Sequence, residues 1–184
     1  MTATYVPTTN ALAHWTSYIT EQLGREPRGL RDVAAFNAAG KPAVIRVASV
    51  VNGKPFPTLF WLIDPAINLA IDRLEAGGAI ARLQALVDDS PELRIRMGKD
   101  HDAHKVLRAS FLTRKERAFL ESQRMMVALD KRGIGGIAEP DRIRCLHTWY
   151  AAHWVVPNVV GSWVDKALAD LEPKINEPIV VTHR

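Results

Sequence analysis

The chain has 184 residues, with 24 lysines and arginines against 20 aspartates and glutamates, and a formal charge of +4. Its 47% hydrophobic and 24% charged content excludes a disordered chain, restricts looseness to the ends at 1–8 and 173–184, and suits one domain over 1–184. A lone cysteine excludes a disulfide within the chain.

The first residues, Met1-Thr2-Ala3-Thr4-Tyr5-Val6-Pro7, show no cationic start followed by an apolar core, so no secretory signal is expected. No apolar run approaches the roughly 20 residues that span a bilayer, so the expected compartment is the cytoplasm, with no membrane partner. A first helix is expected over Asn10 to Leu23, where Leu12, Trp15, Ile19 and Leu23 recur at helical spacing before Gly24. From Pro42 to Asp64 the texture is β: Val44, Ile45, Val47, Val50 and Val51, then Thr58 to Ile63, with the hairpin dipeptide Asn52-Gly53 between. Pro55 and Pro57 lack ladder donors and belong at a bulge or an edge.

Asp64-Pro65 opens a helix through Ile67, Ile71 and Leu74 that stops at Gly77-Gly78. A shorter helix carries Ile80, Leu83, Leu86 and Val87, and Ser90-Pro91 repeats the start signal. His101 to Asp130 contains neither proline nor glycine and reads as one long helix or two nearly continuous ones. The basic stretch Arg108 to Arg117 is broken by Glu116 and lacks interleaved aromatic residues, so it reads as a solvated face and nucleic acid is not an expected partner. Gly133-Ile134-Gly135-Gly136 reads as a flexible connection, without the lysine of a phosphate loop. Asp141 is the expected cap of a helix through Cys145 that Pro157 ends, Ser162 to Leu171 forms a last helix, and Pro178 to Thr182 is an edge strand or loose. The class is α+β, mainly helical, with a small antiparallel hairpin or sheet.

Arg144 to His153 brings the only cysteine together with two of the six histidines, His147 and His153. On a continuous helix His147 lies about 200° from Cys145, so the two cannot share a site unless the helix begins later. Cys145 reads as a small buried hydrophobe or a site thiol, and His147 is the stronger functional candidate. Glu75 lies near the end of its helix, where the dipole disfavours an acid, and therefore needs a partner: Arg82 in a salt bridge, or a histidine that it orients. Arg73 or Arg124 suits bidentate binding of an anion. His101 and His104, three apart with Asp100 and Asp102, are either solvated residues of a helix start or metal ligands.

These residues support two functions. The first is a small-molecule hydrolase or transferase for an anionic, phosphorylated or carboxylated substrate, with His147, His104 and Glu75 catalytic, Arg73, Arg124 and Asn158 binding substrate, and Cys145 and His153 accessory. The second is a non-catalytic protein-binding or scaffolding module using Trp61, Trp149, Trp154 and Trp163. One cysteine and scattered histidines cannot supply a dense four-ligand set, so no structural zinc is expected, while a weaker metal on His104, His147 and Glu75 stays open. The oligomeric state is open.

The runs Pro55-Phe56-Pro57-Thr58-Leu59-Phe60-Trp61-Leu62, Arg73-Leu74-Glu75, Ala103-His104, Gly133-Ile134-Gly135-Gly136, Cys145-Leu146-His147 and Asn158-Val159-Val160-Gly161 occur in that order, after an opening Leu23-Gly24-Arg25-Glu26-Pro27-Arg28-Gly29. In content and order they resemble the bacterial domain-of-unknown-function 501 family. The resemblance implies a soluble bacterial protein, favours His104 over His101, and brings no established activity. Two departures stand out. Family members carry cysteines ahead of the Pro-Phe-Pro-Thr run, where this chain reads Phe36-Asn37-Ala38-Ala39-Gly40-Lys41-Pro42, and they place a histidine at the position of Ala152, one residue before His153.

Overall fold

The computed structural model describes residues 9–171. The ends expected to be loose and the strand considered for Pro178 to Thr182 lie outside them. Helix α1 (Thr9–Leu23) precedes strands β1 (Leu30–Phe36), β2 (Pro42–Val47), β3 (Val50–Val51), β4 (Lys54–Pro55) and β5 (Phe60–Leu62). Strands β1, β2 and β5 form an antiparallel sheet in that order, and β3 pairs with β4. The Asn52-Gly53 turn joins β3 to β4 with φ of 51° and 69°, the pair of left-handed residues that a type I′ hairpin requires. Pro55 sits in the short β4, where no further strand needs its missing donor.

Strand β2 is buried at all six positions because each face meets a separate apolar layer. Ile45 and Val47 pack with Ile63 and with Ile19 of α1, while Val44, paired with Leu62, joins the larger core on the other face. Strand β1 has no counterpart in the sequence reading. Ala34 and Ala35 are weak strand formers, and Asp32 looks like a solvent residue. In the fold Asp32 lies opposite Arg46 on β2 and accepts from both its Nε and Nη2.

Five helices and a 3-10 turn follow before the last two helices. Helix α2 (Pro65–Ala76) is capped as expected, Asp64 Oδ1 accepting from the amides of Ala66 and Ile67 at 3.0 Å each. Helix α3 (Ala79–Asp89) leads to Ser90, whose Oγ accepts from Leu93 N at the start of α4 (Pro91–Ser110). The proline-free span is divided among α4, α5 (Arg114–Ser122) and α6 (Met126–Asp130). Its break is a capping box: Thr113 Oγ1 accepts from Glu116 N, and Glu116 Oε2 accepts from Thr113 N. Arg114, Lys115 and Arg117 are exposed as expected, but Arg108 is buried and donates to the carbonyls of Pro57 and Leu129.

Helix α5 ends on Arg124, which holds a left-handed φ of 56° while the amides of Arg124 and Met125 close onto Glu121 O and Leu120 O. An L-residue in that conformation costs about 1–2 kcal/mol that glycine does not. Arg124→Gly should therefore stabilise the protein by up to about 1 kcal/mol, read as a higher urea midpoint at constant slope.

The 3-10 turn at Ile134–Gly136 is followed by α7 (Leu146–His153) and α8 (Val159–Leu171). Buried Trp149 and Trp154 of this region join the larger core. Among the described residues, no helix is long and apolar enough to cross a membrane.

Candidate functional site

Helix α2 carries two stripes. Ile67, Ile71 and Leu74 are buried, while Asn68, Asp72 and Glu75 follow at helical spacing beside them. The N-terminus of α7 meets this polar stripe. Cys145 is the residue before the helix, with extended backbone (φ −157°, ψ 124°) and no capping bond from its own side chain. The cap comes from across the fold: Glu75 Oε1 accepts from Leu146 N at 2.6 Å. A carboxylate disfavoured at the end of its own helix is thus placed where the dipole of another favours it. Arg82, the alternative partner, donates instead to Gly77 O.

The helix starts after Cys145, and the rotation that would separate Cys145 from His147 on a continuous helix does not apply. Cys145 Sγ lies 3.7 Å from His147 Nδ1, which is also 3.4 Å from Glu75 Oε1. His147 Nε2 is 3.3 Å from both the Asn68 carbonyl oxygen and Asp72 Oδ1. Every group around the imidazole accepts hydrogen bonds. The Cys145 sulfur, against the opposing effect of burial, and then Glu75 and the Asn68 carbonyl push His147 up to about 9. Asp72 and the Asn68 carbonyl were not singled out in the sequence, although the 68, 72, 75 spacing is the signal that would have found them.

The remaining candidates lie elsewhere. Arg73 is exposed on α2, between Asp72 and Glu75 in sequence, and Arg124 is exposed at the α5–α6 turn. His104 sits in the core under α4, its ring edge against Phe60, and burial lowers it to about 3. It borders a cavity of about 20 Å³, room for a single water. Its neighbour His101 is also buried and accepts from Ile134 N through Nδ1. Neither histidine lies at a helix start, because the Ser90 cap begins α4 well before them.

His153 and Asn158 form a second polar group. His153 Nδ1 accepts from Asn158 N, its Nε2 faces Asp165 Oδ2 at 2.9 Å, and Tyr150 donates to Asp165 Oδ1. Burial opposes ionisation of Asp165, but these hydrogen bonds hold its carboxyl below the usual range. Asn158 is the cap of α8: its Oδ1 accepts from Gly161 N, and its Nδ2 donates to Trp149 O. A Cβ on Gly161 would lie 2.2 Å from His153 Cγ, so the glycine makes room for that ring.

With these positions known, the comparison with families becomes interpretable. A family described as "Protein of unknown function (DUF501)" matches residues 33–166. The chain belongs to that family. No curated protein and no solved structure matches it. The DUF501 resemblance rests on motifs that the fold sorts into two kinds. Glu75 of Arg73-Leu74-Glu75 meets Cys145-Leu146-His147 where α2 faces the start of α7. Ala103-His104, Gly133-Ile134-Gly135-Gly136 and Asn158-Val159-Val160-Gly161 are packing and capping elements.

Proposed function

We propose that the junction of α2 with the start of α7 is the reactive centre of a small-molecule enzyme, a hydrolase or transferase acting on an anionic substrate. One observation supports this reading: polar atoms of Glu75, Cys145 and His147, from segments about 70 residues apart, lie within 4.8 Å of one another on half-buried side chains. Capping α7 accounts for Glu75 alone; it does not call for a thiol and an imidazole beside the carboxylate. His147, with acceptors at both ring nitrogens, is placed to hold and pass a proton, and Glu75 fixes the imidazole and accepts. Arg73 stands two residues before Glu75 on the continuous helix α2, about 200° around it, and lies outside this cluster. This reading does not use Arg73, His104, Arg124, Asn158 or His153.

A binding module built on tryptophan gains less support, since Trp149 and Trp154 are buried and only Trp61 and Trp163 reach the surface in part. The test uses His147→Ala and Glu75→Gln, compared with wild type in thermal melts and in titrations with phosphate esters and nucleotides. His147→Ala should stay within about 1–2 kcal/mol of wild-type stability while ligand binding or turnover falls at least tenfold. Strong destabilisation with binding retained would make His147 structural and end the enzyme reading.

A further inference from the structure

We infer that Glu75, Cys145 and His147 form a three-ligand site for a borderline divalent metal of the zinc and cobalt class, with the fourth position left to water or substrate. The inference rests on the α2–α7 junction being the reactive centre and deepens that reading: with metal bound, His147 and Glu75 serve as ligands in place of the proton-handling roles given above. A thiolate, an imidazole and a carboxylate are a donor set for such ions, and the sulfur discriminates against magnesium and calcium, which take oxygen.

Two of the three ligand edges match a tetrahedral site before any metal arrives, and the third, from Cys145 Sγ to Glu75, lies within 4.8 Å. With metal–sulfur bonds of about 2.3 Å and metal–nitrogen or metal–oxygen bonds of about 2.0–2.2 Å, the edges of a tetrahedral site run to about 3.3–3.7 Å. The Sγ to Nδ1 edge is 3.7 Å, and the Nδ1 to Oε1 edge is 3.4 Å. Nδ1 is the ring nitrogen that faces the other two ligands. Nε2 then donates to the Asn68 carbonyl or Asp72, the outer contact that orients metal-binding histidines and keeps them basic. Backbone contacts hold the set in place: Leu146 N fixes Glu75 from one side, and Thr148 Oγ1 donates to the Cys145 carbonyl at 3.0 Å.

The metal takes Cys145 as the thiolate, His147 through an unprotonated Nδ1 and Glu75 as the carboxylate, so protons on these atoms compete with it. The divalent charge is then balanced by thiolate and carboxylate, leaving the fourth position to water or to a substrate oxygen. Three protein ligands with an open position are the catalytic arrangement. They are distinct from the closed four-ligand structural zinc that the sequence argues against.

The test is a cobalt(II) titration of the full-length chain under reducing conditions, with no other ligand present. The expected result is near-ultraviolet thiolate-to-cobalt absorption with visible bands of tetrahedral intensity, saturating at one equivalent and lost on adding zinc but not magnesium. Cys145→Ser should abolish the near-ultraviolet band, and His147→Ala and Glu75→Gln should each weaken cobalt binding more than tenfold. Asp72→Asn should weaken it about tenfold through its contact with His147. Thermal melts without metal identify any variant that fails to fold, and the folded variants then decide. Wild type without the thiolate band, or folded Cys145→Ser and His147→Ala binding cobalt like wild type, would overturn the inference. Titration of the metal-free and cobalt-loaded proteins with phosphate esters separates the two readings. Cobalt bound without ester binding in either form leaves the metal site and ends the substrate reading, and ester binding without the thiolate band does the reverse.

Discussion

Gly133→Ala is expected to lower the unfolding free energy by about 2–5 kcal/mol, far more than its one added methyl suggests. A Cβ at this position would lie 2.0 Å from His101 Nδ1 and 2.5 Å from Cγ of the same ring. The ring cannot easily yield, because it is buried, stands edge-on to Trp149 at 4.8 Å, and accepts the Ile134 amide. Moving it strands that amide and disturbs the centre of the larger core. Gly98→Ala supplies the internal control. Nothing lies within 4 Å of a Cβ there, so in the middle of α4 the same substitution should stabilise by about 0.5–1 kcal/mol. Urea unfolding of both variants measures the contrast, and equal, small effects would refute the packing assigned to Gly133.

Acid should weaken the fold from near pH 6.5 downward, well before most carboxylates titrate. Burial first, and then nearby Lys105, lowers His101 to about 4. Burial first, and then Arg108, lowers His104 to about 3. In the unfolded chain both titrate near 6.5. Above that pH both states hold neutral histidines and no difference arises. Below it the unfolded state takes up protons that the native state refuses, and each histidine withdraws about 1.4 kcal/mol per pH unit until its native value is reached. The pair therefore removes about 4 kcal/mol between pH 6.5 and 5. Asp32 and Asp100, which burial raises above the usual carboxylate range, take up protons early in the native state and offset part of the loss at the acid end. In His101→Asn with His104→Phe, the asparagine oxygen can replace Nδ1 as acceptor for Ile134 N, and the phenyl keeps a ring against Phe60. Denaturation over this pH range should show a flatter profile for the double variant, and parallel profiles would exclude these histidines as the cause.

The elements with local signals were legible. Asp64-Pro65, Ser90-Pro91, Asn52-Gly53 and the α1 stripe each act through their nearest neighbours, and each appears where expected. Strand β1 was not legible, because its polar residue is satisfied only by Arg46 on the next strand. The break at Thr113 was present as a capping box and outweighed by the lack of proline and glycine. At the site, the dipole argument for Glu75 correctly asked for a partner but did not find the one in the fold, an amide about 70 residues away. The apparent separation of Cys145 from His147 followed from starting the helix at an Asp141 cap, whereas its actual first residue is Leu146. The buried histidines show a further limit: imidazole composition alone does not distinguish a solvated helix start from a core position. The four residues Gly133 to Gly136 were read as a flexible connection because glycine usually permits motion. Here Cβ atoms at Gly133 and Gly135 would meet His101 and Thr148 within 2.5 Å, so their role is close approach.

The sheet buried on both faces bears on where this protein can be trimmed. The family match begins at residue 33, inside β1, and omits α1. A fragment cut to 33–166 would keep the larger core except for Leu168 but remove Ile19 and Trp15 from Ile45, Val47 and Ile63. Those residues would then form a sticky apolar slab on the outer face of the sheet, a surface that self-associates in water. The shared part of the chain is therefore not the smallest well-behaved part. Expression boundaries for this protein belong ahead of α1, and a relative sharing only the matched span needs another cover for that face.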